Sequence, residues 1–395
     1  METNILIWLV PIGLLPIFFA MGWLAARVDM RTVLKQAKVV PIQFYKSLSA
    51  MVDGKTRVAA DLLSEIVEEK EMLAQSPESH ELALTLGQLF RKRGETNKAI
   101  SLHQKMLSLP ELSTEQSHQV RFELGKDYQA AGLVDRAETQ LESLLETPLK
   151  SQASKILLLI YQQDRDWEKA IQLATLTPSE ELSQQLELAQ FHCELGQKAL
   201  IQSKLELSSS YARLALEINK KCARANLILG DVFNKRQDYA EAIRAYTSIE
   251  NQNYNYLSMV GEKIYDAYAA MSRAEEGLEL LIGYAKTFPE INLTTLIYEK
   301  ALLLWDRARA NEITRQLIRL NPNLEKIYLL TTILLNDHQL ALSSDAAIIE
   351  KVLFSQINKN FMYQCKHCYF KSQVFFWRCP ACGRWETFTT RRIEV

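Results

Sequence analysis

Four cysteines near the C-terminus stand in "YQCKHCYFKSQVFFWRCPACGRW", residues 363–385, as Cys365, Cys368, Cys379 and Cys382. Their C-x2-C-x10-C-x2-C spacing occurs in a chain of 395 residues that has only six cysteines. Two residues between thiols let the intervening amides turn toward the sulfurs, so each pair forms a knuckle, and two facing knuckles complete a tetrahedral S4 metal site. Pro380 sets the turn of the second knuckle, and Gly383 stands where the chain needs a positive φ. A set of four thiolates accepts zinc or iron. It also closes the coordination sphere, which excludes water and substrate and points to a structural role, since about 30 residues do not fold without such a crosslink. His367, inside the first pair, is either a spare ligand or, the favoured reading, faces solvent beside a full ligand set.

No second centre of chemistry is evident. The chain has no G-x-S-x-G, H-E-x-x-H, Walker loop or G-x-G-x-x-G. His80, His103, His118, His192 and His338 are scattered one to a segment and read as surface or packing residues. Cys193 and Cys222 lie in apolar-periodic segments, where a thiol is usually a small buried hydrophobe. Lone thiols beside two C-x2-C pairs suit a reducing compartment. With 46 basic and 47 acidic residues, the molecule has no bulk field to recruit nucleic acid.

The knot must be carried by something, and the middle of the chain is repetitive. The segments "LTLGQLFRKRGETNKAISLHQKM" (84–106), "FELGKDYQAAGLVDRAETQLESL" (122–144) and "LILGDVFNKRQDYAEAIRAYTSI" (227–249) align without gaps. Each has a glycine, an aromatic three residues on and an alanine twelve residues on: Gly87, Phe90, Ala99; Gly125, Tyr128, Ala137; Gly230, Phe233, Ala242. This is the helix-turn-helix pattern of tetratricopeptide repeats. Sterically, the glycine of the first helix is expected to face the alanine of the second, with the aromatic in the groove between hairpins. The small-residue position recurs at Ala170, Ser208, Gly277 and Ala310, so the intervals from Ala99 are 38, 33, 38, 34, 35 and 33. Pro289 and Pro322 stand where second helices should stop. With a degenerate unit over 42–76 and a last one over about 325–357, roughly nine hairpins are expected. Such a solenoid offers an extended binding surface rather than an enclosed catalytic pocket, which predicts a binding protein and no enzyme.

The N-terminus carries "ILIWLVPIGLLPIFFAMGWLAA", residues 5–26, without one charge. At 1.5 Å per residue that run spans about 33 Å, the thickness of a bilayer core. No basic residue precedes it, whereas Arg27, Arg31, Lys35, Lys38 and Lys46 follow, so an uncleaved anchor with the bulk of the chain in the cytoplasm is expected. The domain plan is therefore an anchor over 1–28, a repeat solenoid over 29–358 and a metal knot over 359–395. The fold class is all-α, a tetratricopeptide superhelix with an N-terminal transmembrane helix and a small C-terminal metal-binding domain. Tyr369, Phe370, Phe375, Phe376, Trp377 and Trp385 are read as the apolar cover of the knot or its contact with the last repeat. Aromatics interleaved with seven Lys or Arg over 359–395 also suit single-stranded nucleic acid, an anionic membrane or an acidic partner; nucleic acid is the disfavoured reading.

Anchor, repeats and terminal knot in this order resemble the lipopolysaccharide assembly protein B family of Gram-negative bacteria. The segments that carry the resemblance are "LTLGQLFRKRGETNKAISLHQKM", "GKDYQAAGLVDRAE" and the end "YQCKHCYF...FFWRCPACGRW". The resemblance implies a rubredoxin-like knot with Cys365, Cys368, Cys379 and Cys382 as ligands of one iron or zinc ion. It implies an inner-membrane adaptor, single-pass and facing the cytoplasm, that regulates lipopolysaccharide synthesis. The implied partners are the membrane protease FtsH, the UDP-acyl-N-acetylglucosamine deacetylase of lipid A synthesis, and an inner-membrane lipopolysaccharide-sensing regulator. Self-association is left open. Rubredoxin-like knots often have glycine after the first pair; here Tyr369 follows Cys368, which weakens a redox reading. The rival readings are a membrane-tethered electron carrier and a general assembly scaffold.

Overall fold

The computed structural model describes residues 16–17, 19–23, 42–55, 57–59, 61–63, 77–110, 112–176, 182–336, 348–349, 351–355, 361–390 and 393–394. Most of the apolar run at 5–26 lies outside them. Among the described residues no helix is long and apolar enough to cross a membrane.

The helices in chain order are α1 (Ile42–Val52), α2 (Pro77–Lys92), α3 (Thr96–Leu107), α4 (Thr114–Ala130), α5 (Val134–Glu142), α6 (Lys150–Asp164) and α7 (Trp167–Leu176). They continue as α8 (Leu182–Ile201), α9 (Leu205–Ile218), α10 (Ala223–Lys235), α11 (Tyr239–Thr247) and the short α12 (Ile249–Asn253). A 3-10 turn over Tyr254–Tyr256 leads into α13 (Leu257–Ala270), α14 (Ala274–Thr287), α15 (Thr294–Leu304), α16 (Arg307–Leu320) and α17 (Leu324–Asn336). The chain forms two compact units, Met1–Ile160 and Tyr161–Val395.

The register read from small residues recurs in the backbone. Ala99, Ala137, Ala170, Ser208, Ala242 and Ala310 have no exposed surface, and Gly277 is buried with them. Five residues before each of the first six of these seven positions, the inter-helix turn holds a residue in the left-handed region: Gly94, Gly132, Arg165, Ser203, Gln237 and Ser272. That conformation ends one helix within a single residue and lets the next fold back. Turn and small residue together repeat at the spacing of the sequence pattern. Helices α14 and α16 stop two residues before Pro289 and Pro322, as expected, because proline cannot continue a helix.

One steric expectation is corrected. The glycines do not face the alanines; a Cβ on Gly87, Gly125 or Gly230 would run into His103, Leu141 or Tyr246, each sixteen residues on. The alanine lies one turn earlier on the same face of the second helix, and it is the bulky side chain after it that fills the space left by the glycine. Tyr246 is fully buried there, with its hydroxyl donating to Asp231 at 2.7 Å. In the first unit His103 sits beside Asp127, whose other oxygen is paired with Arg91 at 2.6 Å; Arg91 also pairs with Glu123 at 2.6 Å. Arg91, the two carboxylates and His103 tie α2, α3 and α4 together, and each oxygen of Glu123 and Asp127 has a partner.

The C-terminal segment adds a small sheet to the helical repeats. Strands β1 (Phe361–Gln364), β2 (Lys371–Ser372) and β3 (Ile393–Glu394) run in the order β2-β1-β3, with both pairs antiparallel. Tyr363 stands opposite Ser372 and Met362 opposite Ile393.

Candidate metal centre

The end of β1 delivers Cys365 to the site, where it has no exposed surface. The chain then turns so that the Tyr369 amide donates to the Cys365 carbonyl at 2.9 Å, and the Cys365 amide donates to Phe370 at 2.9 Å. The second knuckle repeats this geometry. Gly383 donates to the Cys379 carbonyl at 2.9 Å and Cys379 donates to Arg384 at 2.8 Å. Residues Cys365 to Phe370 and Cys379 to Arg384 are thus two copies of one local fold. The residue after each second cysteine is left-handed: Gly383 has φ 71°, and Tyr369 has φ 61° despite its side chain.

The two copies bring all four Sγ atoms within 4.8 Å of one another. Cys365 and Cys382 stand 3.8 Å apart, and Cys368 and Cys379 3.6 Å. A tetrahedral ion with bonds of about 2.3 Å needs sulfurs about 3.8 Å apart. A disulfide needs about 2.05 Å. The donor set therefore fits one ion, and zinc and iron equally. Burial pushes the Cys379 thiol up to about 12. Burial acts the same way on Cys365, but the Thr387 hydroxyl and the amides of Cys368 and His367 hold that thiol down to about 6. The amides bent toward sulfur are thus the knuckle geometry that the spacing implied. His367 is exposed and stands outside the set of four.

Among the described residues, the aromatic contacts of the knot with the repeats are not made with the last one. The knot packs on the repeats that begin the second unit, from Gln162 to Tyr256. Trp385 meets Trp167 at the start of α7 and Phe191 on α8, with ring centroids 5.9 and 6.2 Å away. Trp377 meets Tyr256 at 4.9 Å. Arg224, 5% exposed, lies over both Trp377 and Trp385 and is paired with Glu194 at 2.9 Å. Gln190 donates to the Glu386 carboxylate at 2.9 Å, and Arg378 donates to the Gln162 carbonyl at 3.1 Å. Phe375 and Phe376 pack on the buried Phe388 inside the knot. Tyr369 belongs to neither cover nor contact and is 68% exposed.

Gln162, Gln190 and Arg224 escape sequence reasoning. The one signal was positional: Gln190 and Arg224 stand 34 residues apart, at the same place in successive repeats, and Arg224 is a cation on a face that the register buries. Cys193 and Cys222 are buried as expected, with sulfurs 3.6 Å apart, although Cys222 caps the start of α10 rather than lying inside a helix.

Comparison with known proteins finds the repeats and the knot separately. A zinc-ribbon profile described as a rubredoxin metal binding domain matches residues 363–390. Tetratricopeptide repeat profiles match 83–116 and 193–256. Lipopolysaccharide assembly protein B of Escherichia coli K12 is 28% identical over 384 residues, covering 95% of this chain and 96% of that protein. The protein of the same name from Haemophilus influenzae is 27% identical over 394 residues, again 95% and 96%. Among solved structures, a tetratricopeptide repeat protein from Parabacteroides merdae superposes only loosely, at 18% identity and a TM-score of 0.27 over 74% of this chain and 96% of that one. Over nearly its whole length, then, the chain is similar to the lipopolysaccharide assembly protein B proteins, as the order of its sequence features implied.

Proposed function

We propose that this chain is a non-enzymatic adaptor that regulates lipopolysaccharide assembly. The observation that carries the reading is similarity across 95% of the chain to proteins named for that process. Cys365, Cys368, Cys379 and Cys382 hold one zinc or iron ion, and the residues 5–26 anchor the chain in the inner membrane with its bulk in the cytoplasm. When bound, the ion supplies a four-thiolate crosslink. The chain's own residues do the rest: Trp377, Trp385 and Arg378 fix the knot on the repeats, and the repeats offer the surface that grips a client. Aromatic rings facing one another, a cation between them and a buried backbone acceptor for Arg378 support a permanent brace rather than a mobile carrier.

In this reading the client is the deacetylase that commits precursor to lipid A, and the effector is the FtsH protease of the same membrane, with an inner-membrane lipopolysaccharide sensor setting the activity. Confinement of adaptor and protease to one membrane raises their effective concentration without any new contact. The test replaces all four cysteines by serine in the chromosomal copy and follows deacetylase abundance and half-life by immunoblot. Abundance should rise while the variant itself remains present. An unaltered half-life in cells that contain normal amounts of the variant would sink the adaptor role. An absorption spectrum of the purified protein separates the electron-carrier reading, which needs coloured iron-thiolate bands with a reversible potential.

A further inference from the structure

The two knuckles have the same backbone but opposite surroundings. The second is tied to the repeats through Arg378, whose side chain donates both to the Gly383 carbonyl and to the Gln162 carbonyl, each at 3.1 Å. The first is open to solvent among the described residues. It exposes Lys366, His367 and Lys371, together with Tyr369, Phe370 and Val374 at 68%, 38% and 61%.

Three observations bear on this face. Tyr369 holds the left-handed conformation that its twin gives to glycine. A β-carbon is disfavoured there, and with most of its surface in water Tyr369 recovers little by burial. Five other non-glycine residues share this conformation, so it is the exposure of the Tyr369 ring, not the turn itself, that marks the face. Next, the sequence between Glu350 and Glu386 contains six Lys or Arg and no acidic residue, and neither Lys366 nor Lys371 is paired with a described carboxylate. Finally, β2, which carries Lys371, is an edge strand with one side of its backbone unpaired by the sheet. A lipid surface could answer the charge but not the strand edge. An extended acidic peptide answers both.

We propose that the outer face of the first knuckle is a docking surface for an extended, acidic peptide segment of a partner protein. The segment lies along β2, its carboxylates on Lys366 and Lys371 and an apolar side chain against Tyr369 and Val374. This stands whether or not the client is the deacetylase.

The test uses the metal-loaded full chain in phosphatidylcholine nanodiscs. A library of random twelve-residue peptides is selected on it, alongside the variant Y369G/K366E/K371E. The variant should keep its metal and melt no lower, because glycine relieves the turn. Selected peptides should be rich in Asp and Glu, bind Y369G about tenfold more weakly than the parent, as loss of an aromatic anchor implies, and weaken steeply with salt. Absence of enrichment, enrichment of basic or neutral peptides, or peptides that bind the variant equally well would each overturn the proposal. Equally, if the substitutions abolish only flotation with phosphatidylglycerol vesicles, the face meets membrane. If they alter only metal affinity, the lysines serve the thiolate charge, and the docking surface is again refuted.

Discussion

Replacing Trp385 by alanine should release the knot from the repeats while leaving its metal in place. Trp385 is half-buried between Trp167 and Phe191, and the guanidinium groups of Arg224 and Arg378 each lie 5.9 Å from its ring. Two aromatic pairs at about 0.5–1.5 kcal/mol each and two cation contacts at about 0.5–1 kcal/mol each sum to roughly 2–5 kcal/mol. Tryptophan-to-alanine losses in well-packed sites run at about 3–5 kcal/mol, so about 3 kcal/mol is the expected value. Hydrogen exchange read by mass spectrometry should then show protection falling by about two orders of magnitude in α8, around Phe191, and in β1, since each 1.36 kcal/mol is a factor of ten. The four thiolates should still hold one ion by elemental analysis. Trp385→Phe is the control. It keeps a ring between Trp167 and Phe191 and removes a buried indole N–H that has no partner among the described residues, so its loss should stay within about 1 kcal/mol. Exchange in α8 and β1 that changes less than twofold in Trp385→Ala would refute the idea that these rings hold the knot. A loss as large in Trp385→Phe as in Trp385→Ala would show that something other than ring packing was removed.

Three further outcomes follow from the same structure. Gly230→Ala should destabilise by about 1–3 kcal/mol in chemical denaturation, because the new methyl lands on the buried Tyr246 ring, whereas Gly283→Ala, with nothing within 4 Å, should stabilise by about 0.5–1 kcal/mol. Burial opposes ionisation of Glu123, yet hydrogen bonds from Lys126 and Arg91 hold its carboxyl below the usual range. Its contribution is therefore full above the unfolded pKa of about 4.3 and is lost as pH falls through the folded value, so an acid melting series should slope there and flatten in Glu123→Gln. Stripping the ion with a strong chelator should unfold the knot, expose Trp377 and Trp385 to water and shift tryptophan emission to the red; emission unchanged after complete metal loss would show that the knot folds without it.

The sequence alone determined the parts whose information is local. Thiol spacing fixed the two knuckles, because C-x2-C permits only a tight turn with its amides toward sulfur, and the pair of pairs brings four sulfurs together wherever the strands lie. Periodicity fixed the helices, since a residue that must vanish into a helix crossing recurs with the crossing, from Ala99 to Ala310. The packing partner of each glycine was misjudged by one turn because periodicity gives the face of a helix but not the length of side chain that fills it, here Tyr246 rather than Ala242. Only tertiary structure decided where the knot sits. Residues almost 200 apart, such as Gln190 and Glu386, carry no common pattern, and their contact arises because the repeats bury Arg224 where two tryptophans can close over it. The difference between the two knuckles has the same origin: one backbone, written twice by local chemistry, meets the repeats through Arg378 on one side and exposes Tyr369 on the other only through what the fold places beside it.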